Sequence, residues 1–553
     1  MRFLIFLLPL LLFSKEVTLD FLSSKPASVA KDYYIWKFFD QNITKKEAWE
    51  AFYQIKNVNR KIFLKFAPKS GDSEVIKIAK CMKKIEFPKD SSCIAVWPTP
   101  YRFINKDFKT QEKILKKIKP FKIYTKYWIL HQKHPFFLLL KYKHLFLDIY
   151  MSVGDKFREE TLNYAIPTYI LNDLKKDKRF DSFINLAATN PKLKKVHFSF
   201  FNLNPDELSH NSSFMIAMLA IKYNLLNLAK RYLKNAKEKA YYTFDIDKCN
   251  FWLYLISKNK KYLNELLKSK DLNIYTYYAY EKMGKKINIK KVKLENESFK
   301  FNDINRSKII YISSPAVSID TNKNQNINDP FLWLEILNSI KNMNKEELFN
   351  YSKKFKSKKL LPVYAFIIEK LSKYSIHPFI TPYENLLKNL SVKKRALIYA
   401  IARQESRFIP SSISHSFALG VMQIMPFLAK AIAKDKKIKN FDLDMMFNEK
   451  KNIEFAIYHL KFLEKKLSHP LLIAYAYNGG IGFLKRKIVE KNIFDNSKFQ
   501  PFLAMEMIPY SESRKYGKKV LLNYIIYLNI FEEKEKLISL IKKLKLFDHN
   551  HRF

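Results

Sequence analysis

Four short blocks in the last third of this 553-residue chain carry the side chains best suited to chemistry. The first is "RALIYAIARQES" (395–406). Apolar residues at 397, 398, 401 and 402 mark one buried helical stripe, and Glu405 and Ser406 fall in the last turn. A carboxylate at a helix C-terminus opposes the macrodipole, which disfavours its charged form. With aromatic and Met neighbours to desolvate it, such an acid keeps its proton near neutral pH and can act as a general acid. The second block, "GVMQIMP" (420–426), sets a glycine that permits close approach beside Gln423, which offers a donor and an acceptor to a polar polymer. The third, "IAYAYNGGIG" (473–482), ends an apolar helix in Tyr477-Asn478-Gly479-Gly480. The fourth, "AMEMIPYSESRKYGKKVLLNY" (504–524), combines acids, Arg514 and tyrosines ahead of another helix. Singly, each block has a plain reading: a solvated helix-end carboxylate, a helix stop, a stabilising ion pair.

The elements that must hold these blocks read as helices. Only 8 glycines occur in the chain, and five of them (Gly420, Gly479, Gly480, Gly482, Gly517) lie in the final third. So little glycine disfavours turn-rich β architectures, and its clustering marks where the backbone needs special conformations. From about residue 28 to 300 one amphipathic helix follows another. In "SSFMIAMLAIKYNLLNLAKRYLKNA" (212–236) Asn224 interrupts two such runs. No strict period is visible, so the expectation is an irregular solenoid of helical hairpins. Residues 299–328 mix β-branched residues with an Asn-rich loop, and helix resumes at Asp329-Pro330, an N-cap followed by proline at the first helical position. "SIHPFITPYENLL" opens a last domain. The expected organisation is a signal peptide over 1–14, an α-helical superhelical domain over 15–300, a linking helical domain over 301–375 and a final domain over 376–553.

Net charge is +48, from 100 Lys+Arg against 52 Asp+Glu. Such a surface attracts polyanions: nucleic acid, anionic headgroups or an acidic polymer. Abundant Lys, Asn, Ile, Phe and Tyr are also what AT-rich coding produces without any partner. "MRFLIFLLPLLLFSKEVTLD" is too short to span a bilayer and matches a secretory signal peptide, without a lipoprotein cysteine. No stable membrane insertion is expected. Of three cysteines, Cys81 and Cys93 are the nearest pair for a disulfide in an oxidising compartment, and Cys249 is expected free and buried. Neither a metal site nor a cofactor motif (P-loop, HExxH, G-x-S-x-G) is present in the sequence.

In order and separation the four blocks resemble the soluble lytic transglycosylases of the Slt type, which share a goose-lysozyme-like catalytic domain. The family pattern is an E-S pair, G-L-M-Q-I-M-P, A-Y-N-A-G, and E-x-I-P-[FY]-x-E-T-R-x-Y. Here stand Glu405-Ser406, "GVMQIMP", "AYNGG" and "EMIPYSESRKY". The match covers about 150 residues, so the resemblance implies an all-α chain whose solenoid precedes a lysozyme-like catalytic domain. It implies that Glu405 is the single catalytic acid and base. Ser406, Ser414, Met422, Gln423 and Met425 would line or contact the saccharide groove. Tyr477 and Asn478 would position the sugar at the scissile bond, and Glu506, Arg514 and Tyr516 would close the site, with Tyr516 near the carboxylate. Two departures stand out: Phe417 occupies a place where the family has glycine, which predicts a reshaped groove loop, and Ser513 replaces threonine.

The resemblance implies cleavage of the N-acetylmuramic acid to N-acetylglucosamine bond of peptidoglycan without water, in the periplasm, by a monomer that needs no cofactor. Other cell-wall enzymes are conceivable partners; nucleic acid is not expected. A lysozyme-type hydrolase and an inert murein-binding scaffold are the alternatives. The solenoid is expected to hold glycan strands, so removing residues 28–370 should spare activity on short fragments.

Overall fold

The computed structural model describes residues 16–84, 86, 93–94, 96–294, 308–313, 326–495 and 497–546. The expected signal peptide, 1–14, lies outside them, as does Pro88 in the loop between the two paired cysteines.

Helices dominate the described residues, as the composition requires, and they start where local chemistry dictates. Asp329 accepts from the Phe331 amide at 2.8 Å, with Pro330 at the first helical position. Asn224 adopts a left-handed backbone, φ 58°, between helices His210–Lys222 and Leu226–Glu238. Asparagine tolerates that conformation better than other residues with a side chain.

One feature departs from an all-helical chain. Three short parallel strands, β1 (Ile289–Lys293), β2 (Lys308–Ser313) and β3 (Ile376–Ile380), form a sheet in that order. Ile309 pairs with Ile289 on one side and His377 on the other. The β-branched run "KIIYIS" supplies the central strand. Pro378 is tolerated because β3 is an edge strand, where a missing N–H breaks no ladder.

The chain divides into two compact units. The first gathers the described residues of Met1–Trp97 with Gln325–Lys341 and Ile409–Ala456. The second gathers Pro98–Asn324, Asn342–Phe408 and Ile457–Phe553. The expected last domain, 376–553, therefore contributes to both.

In the second unit helices Leu226–Glu238, Thr243–Ser257, Lys261–Lys268 and Ile274–Lys282 each pack on the one before, the hairpin grammar read from the sequence. Helices Val392–Glu405 and Pro470–Gly479 both pack on the 20-residue helix Ser511–Ile530. Gly517 makes the second contact possible: a Cβ there would lie 2.2 Å from Cε1 of Tyr475. In the first unit Cys81 and Cys93 form a disulfide, with Cα atoms 5.3 Å apart; Cys249, in the second, is free and buried. No helix among the described residues is long and apolar enough to cross a membrane.

Candidate active site

In the second unit, Ser391 caps the helix Val392–Glu405 by accepting from the Lys394 amide, and Ala396 to Ala402 are buried. The helix stops at once after Glu405. Arg407 and Phe408 both take left-handed φ values, 52° and 68°, which cost about 1–3 kcal/mol apiece for residues with a side chain. Their surroundings hold them there. Arg407 pairs with Glu369, and Tyr383 donates to the Phe408 carbonyl at 3.0 Å. Arg403, two residues before the acid, shares Glu369 at 3.3 Å and lies over the Phe379 ring.

This abrupt end leaves the Glu405 carboxyl half-buried. Burial pushes its pKa up to about 7; the hydrogen bond from Tyr516 opposes the shift and the Glu512 carboxylate adds to it. The Tyr516 hydroxyl donates to Oε1 at 2.7 Å. Tyr477 lies close enough for the Glu405 charge to help raise its phenol pKa, although burial is the larger cause. Asn478 is fixed by Ser513, whose hydroxyl donates to its side-chain oxygen at 2.7 Å. The serine that replaces threonine thus keeps the bonding group. Glu405, Tyr516, Tyr477 and Asn478 all belong to this unit.

Glu506 and Arg514 have other partners than an open groove. Glu506 is 2 % exposed and forms a 2.7 Å ion pair with Lys518, while the Tyr275 hydroxyl donates to its other oxygen at 2.5 Å. Burial opposes its charge, yet Lys518 keeps its pKa below the ordinary value. Arg514 donates to the Ile508 carbonyl, the Asn185 side chain and the Met215 sulfur. Neither is drawn to Glu405. Both brace the segment that carries Tyr516.

The second block folds within the first unit. Leu419 forms isolated bridges to Ile413 and Ile424, which makes residues 413–424 a tight double-backed loop. Gly420 has φ 78°, and a Cβ there would meet the Met446 carbonyl at 2.2 Å. Asn452, 0 % exposed, ties the loop together: its Nδ2 donates to the carbonyls of Leu419 and Met446, and its Oδ1 accepts from the Met422 amide. Met422 is itself buried, so its side chain is core here and not groove surface. Gln423, half-buried with φ 48°, donates to the carbonyls of Ser412 and Gly420. Ser414 is a turn residue, accepting from the Ala418 amide at 2.9 Å. Met425 precedes the helix Pro426–Asp435, and Ser406 caps the acid's helix; both side chains are half-buried.

Phe417, in the place where the family pattern has glycine, packs inward. Its φ of 62° shows why glycine suits the place. Its ring is buried, packing 5.9 Å from Tyr33 and 5.7 Å from Trp36 on the helix Val29–Phe38. Tyr33 in turn donates to Asp444, which also pairs with Lys37. The substitution therefore anchors the loop to the amino-terminal helices. Asn452 and Lys518 escaped sequence reading because a polar residue beside charged neighbours carries no signal of burial, and Tyr275 because one tyrosine in the run 274–280 looks like the next.

Residues 388–500 match the family model described as "Transglycosylase SLT domain". The putative soluble lytic murein transglycosylase of Haemophilus influenzae is 32% identical over 150 residues, 27% of this chain and 24% of that protein. The soluble lytic murein transglycosylase of Salmonella typhimurium is 29% identical over 184 residues, 32% of this chain and 28% of that one. The matched segment thus spans about a quarter of these relatives' length. A solved structure of lytic transglycosylase Slt from Pseudomonas aeruginosa aligns with 92% of this chain and 74% of its own, at 14% identity and TM-score 0.43. The sequence matches thus place a segment similar to the transglycosylase SLT domain over residues 388–500.

Proposed function

We propose that this chain is a peptidoglycan lytic transglycosylase with Glu405 as its acid and base. The observation that carries the reading is the Glu405 carboxyl, half-buried, raised to about 7 and held at one oxygen by Tyr516. A group poised there is protonated often enough to donate and ionised often enough to accept. In the first step Glu405 gives its proton to the glycosidic oxygen as the bond to C1 of N-acetylmuramic acid breaks. The oxygen of that sugar's own N-acetyl group attacks C1. In the second step the Glu405 carboxylate takes the proton of the C6 hydroxyl, O6 displaces the acetamido oxygen at C1, and a 1,6-anhydro ring closes. Glu405 ends protonated, as it began, and no water is consumed. Tyr477 and Asn478 are the proposed sugar-positioning groups. Gln423 and Met425 are proposed to line the groove. The apolar amino-terminal run and the murein substrate support export to the periplasm.

A hydrolase is the second reading. One observation favours it: the exposed Glu512, on the first turn of the helix Ser511–Ile530, acts electrostatically on Glu405 and is a carboxylate that could activate water. The masses of fragments released from purified peptidoglycan decide between them. Anhydro ends, lighter by one water than reducing ends, support the transglycosylase; reducing ends overturn it. Glu405→Gln releases neither, and full wall clearing by that variant would remove Glu405 from the mechanism.

A further inference from the structure

The second unit holds a cavity of about 480 Å³ that the proposed chemistry does not use. Its walls come from the helices around residues 151–190 and 211–248, and from the segments 487–491 and 506–518. The volume lies in the range of small-molecule sites. It opens beside Arg514 and Lys518, one helical turn apart on the helix Ser511–Ile530, whereas Tyr516 of the same helix engages Glu405.

The charges of the lining do not cancel. Arg158 and Lys487 share Asp155, Lys248 pairs with Asp245 at 2.7 Å, Lys491 pairs with Glu159 and Lys518 with Glu506. Among the described residues that leaves three lining charges without an ion-pair partner: Arg514, Lys515 and Asp181. Arg514 is nearly buried, and three of its five N–H groups are used, on a carbonyl, a carboxamide oxygen and a thioether. Glu506 reaches it only at longer range, because that carboxylate is committed to Lys518 and Tyr275. Asp181 accepts from the hydroxyls of Ser209 and Ser212 at 2.5 Å each and lines the cavity without a salt bridge among the described residues. A guanidinium with spare donors is costly to bury unless an anion reaches it. Phe214, Phe244 and Met215 add apolar wall between the charges.

We propose that this cavity binds a zwitterionic peptide, with carboxylates on Arg514 and Lys515 and an ammonium on Asp181. A murein stem peptide has that chemistry: several free carboxylates and one free amino group on a short chain. Assigning the stem peptide rests on the peptidoglycan reading above; the demand for opposite charges on one small ligand rests on the lining alone. Recognition here lets the enzyme read the peptide state of the wall through the segment 506–518, which carries Tyr516.

The test is calorimetric titration of the full chain with three probes. They are the tripeptide N-acetyl-L-alanyl-γ-D-glutamyl-meso-diaminopimelate, the same peptide with its carboxylates amidated, and a peptide-free chitooligosaccharide. The tripeptide is expected to bind, the amidated form to bind at least tenfold more weakly, and the oligosaccharide not to compete. Lys515→Glu, at an exposed position, and Asp181→Asn are each expected to weaken tripeptide binding at least tenfold, with circular dichroism reporting folding of both. Absence of binding at millimolar peptide, unchanged affinity in both variants, or displacement by the oligosaccharide overturns the proposal. Failure of the function reading is seen separately: a chain that cleaves no murein yet shows this variant pattern loses the transglycosylase assignment and keeps the peptide site.

Discussion

The Tyr516 hydroxyl donates to Oε1 of Glu405 at 2.7 Å, joining the last turn of one helix to a second helix 111 residues further along the chain. The bond favours the ionised acid while burial favours the protonated one, and burial wins. The site's proton affinity is thus a balance in which the Tyr516 bond opposes burial and the Glu512 charge, and that bond can be removed separately.

Tyr516→Phe removes the opposing effect. A hydrogen bond to a charged group is worth about 1.5 kcal/mol or more, equivalent to about one pH unit. Cleavage by the wild type should decline as pH rises through about 7, where Glu405 loses its proton. In Tyr516→Phe that falling limb should move up by roughly one unit. A pH–rate profile of fragment release checks both.

The same raised pKa makes a stability prediction of defined sign. Between the ordinary carboxyl value and about 7 the folded protein holds a proton that the unfolded chain releases, so stability falls as pH rises across that window. Glu405→Gln removes this dependence. Its melting temperature should exceed that of the wild type clearly at pH 8 and little at pH 4.

Glu506→Gln leaves Lys518 buried and unpaired, a loss of about 3–5 kcal/mol on the scale of such pairs. Glu506→Gln with Lys518→Met removes both charges and should recover part of that loss. Denaturant unfolding of the two variants and the wild type measures the coupling.

At Phe417 two effects compete. Glycine would relieve a left-handed backbone worth about 1–3 kcal/mol. It would also delete an aromatic ring from the contact with Tyr33 and Trp36, and large-to-small changes of this kind cost about 3–5 kcal/mol. Packing wins, so Phe417→Gly should destabilise the first unit although it restores the family residue. Hydrogen exchange across residues 413–424 should rise with it.

Asn452→Ala strands the Leu419 and Met446 carbonyls and the Met422 amide. Buried groups left unpaired cost about 1–3 kcal/mol each, so the loss should exceed 2 kcal/mol by denaturant unfolding. Asn452→Asp, which buries a carboxylate against those two carbonyls, should cost at least as much.

The nearness of Tyr516 to Glu405 was legible because both sit in short blocks whose order and separation resemble one family pattern. Asp329-Pro330 and Asn224 were legible because capping and left-handed turns are local chemistry. The partners of Glu506 and Arg514 were not legible because they lie far off: Tyr275 is 231 residues from Glu506 and Asn185 is 329 from Arg514. Met422 looked like groove lining, since nothing in "GVMQIMP" says which side chain turns inward. In "KIIYIS" the β-branched pattern was visible, but strand partners from two other segments were not.

Phe417 on Tyr33 and Trp36 bears on what can be inherited or transplanted. The glycine-bearing loop shares one compact unit with helices drawn from the chain's first hundred residues. A truncation that keeps only the carboxyl-terminal third leaves this ring facing water and strips the loop of its foundation. Removal of residues 28–370, which the sequence alone suggests should spare activity on short fragments, takes Tyr33 and Trp36 with it and should therefore impair that activity as well. A swap between relatives that replaces the loop 413–424 without the helix Val29–Phe38 loses the Phe417 contact.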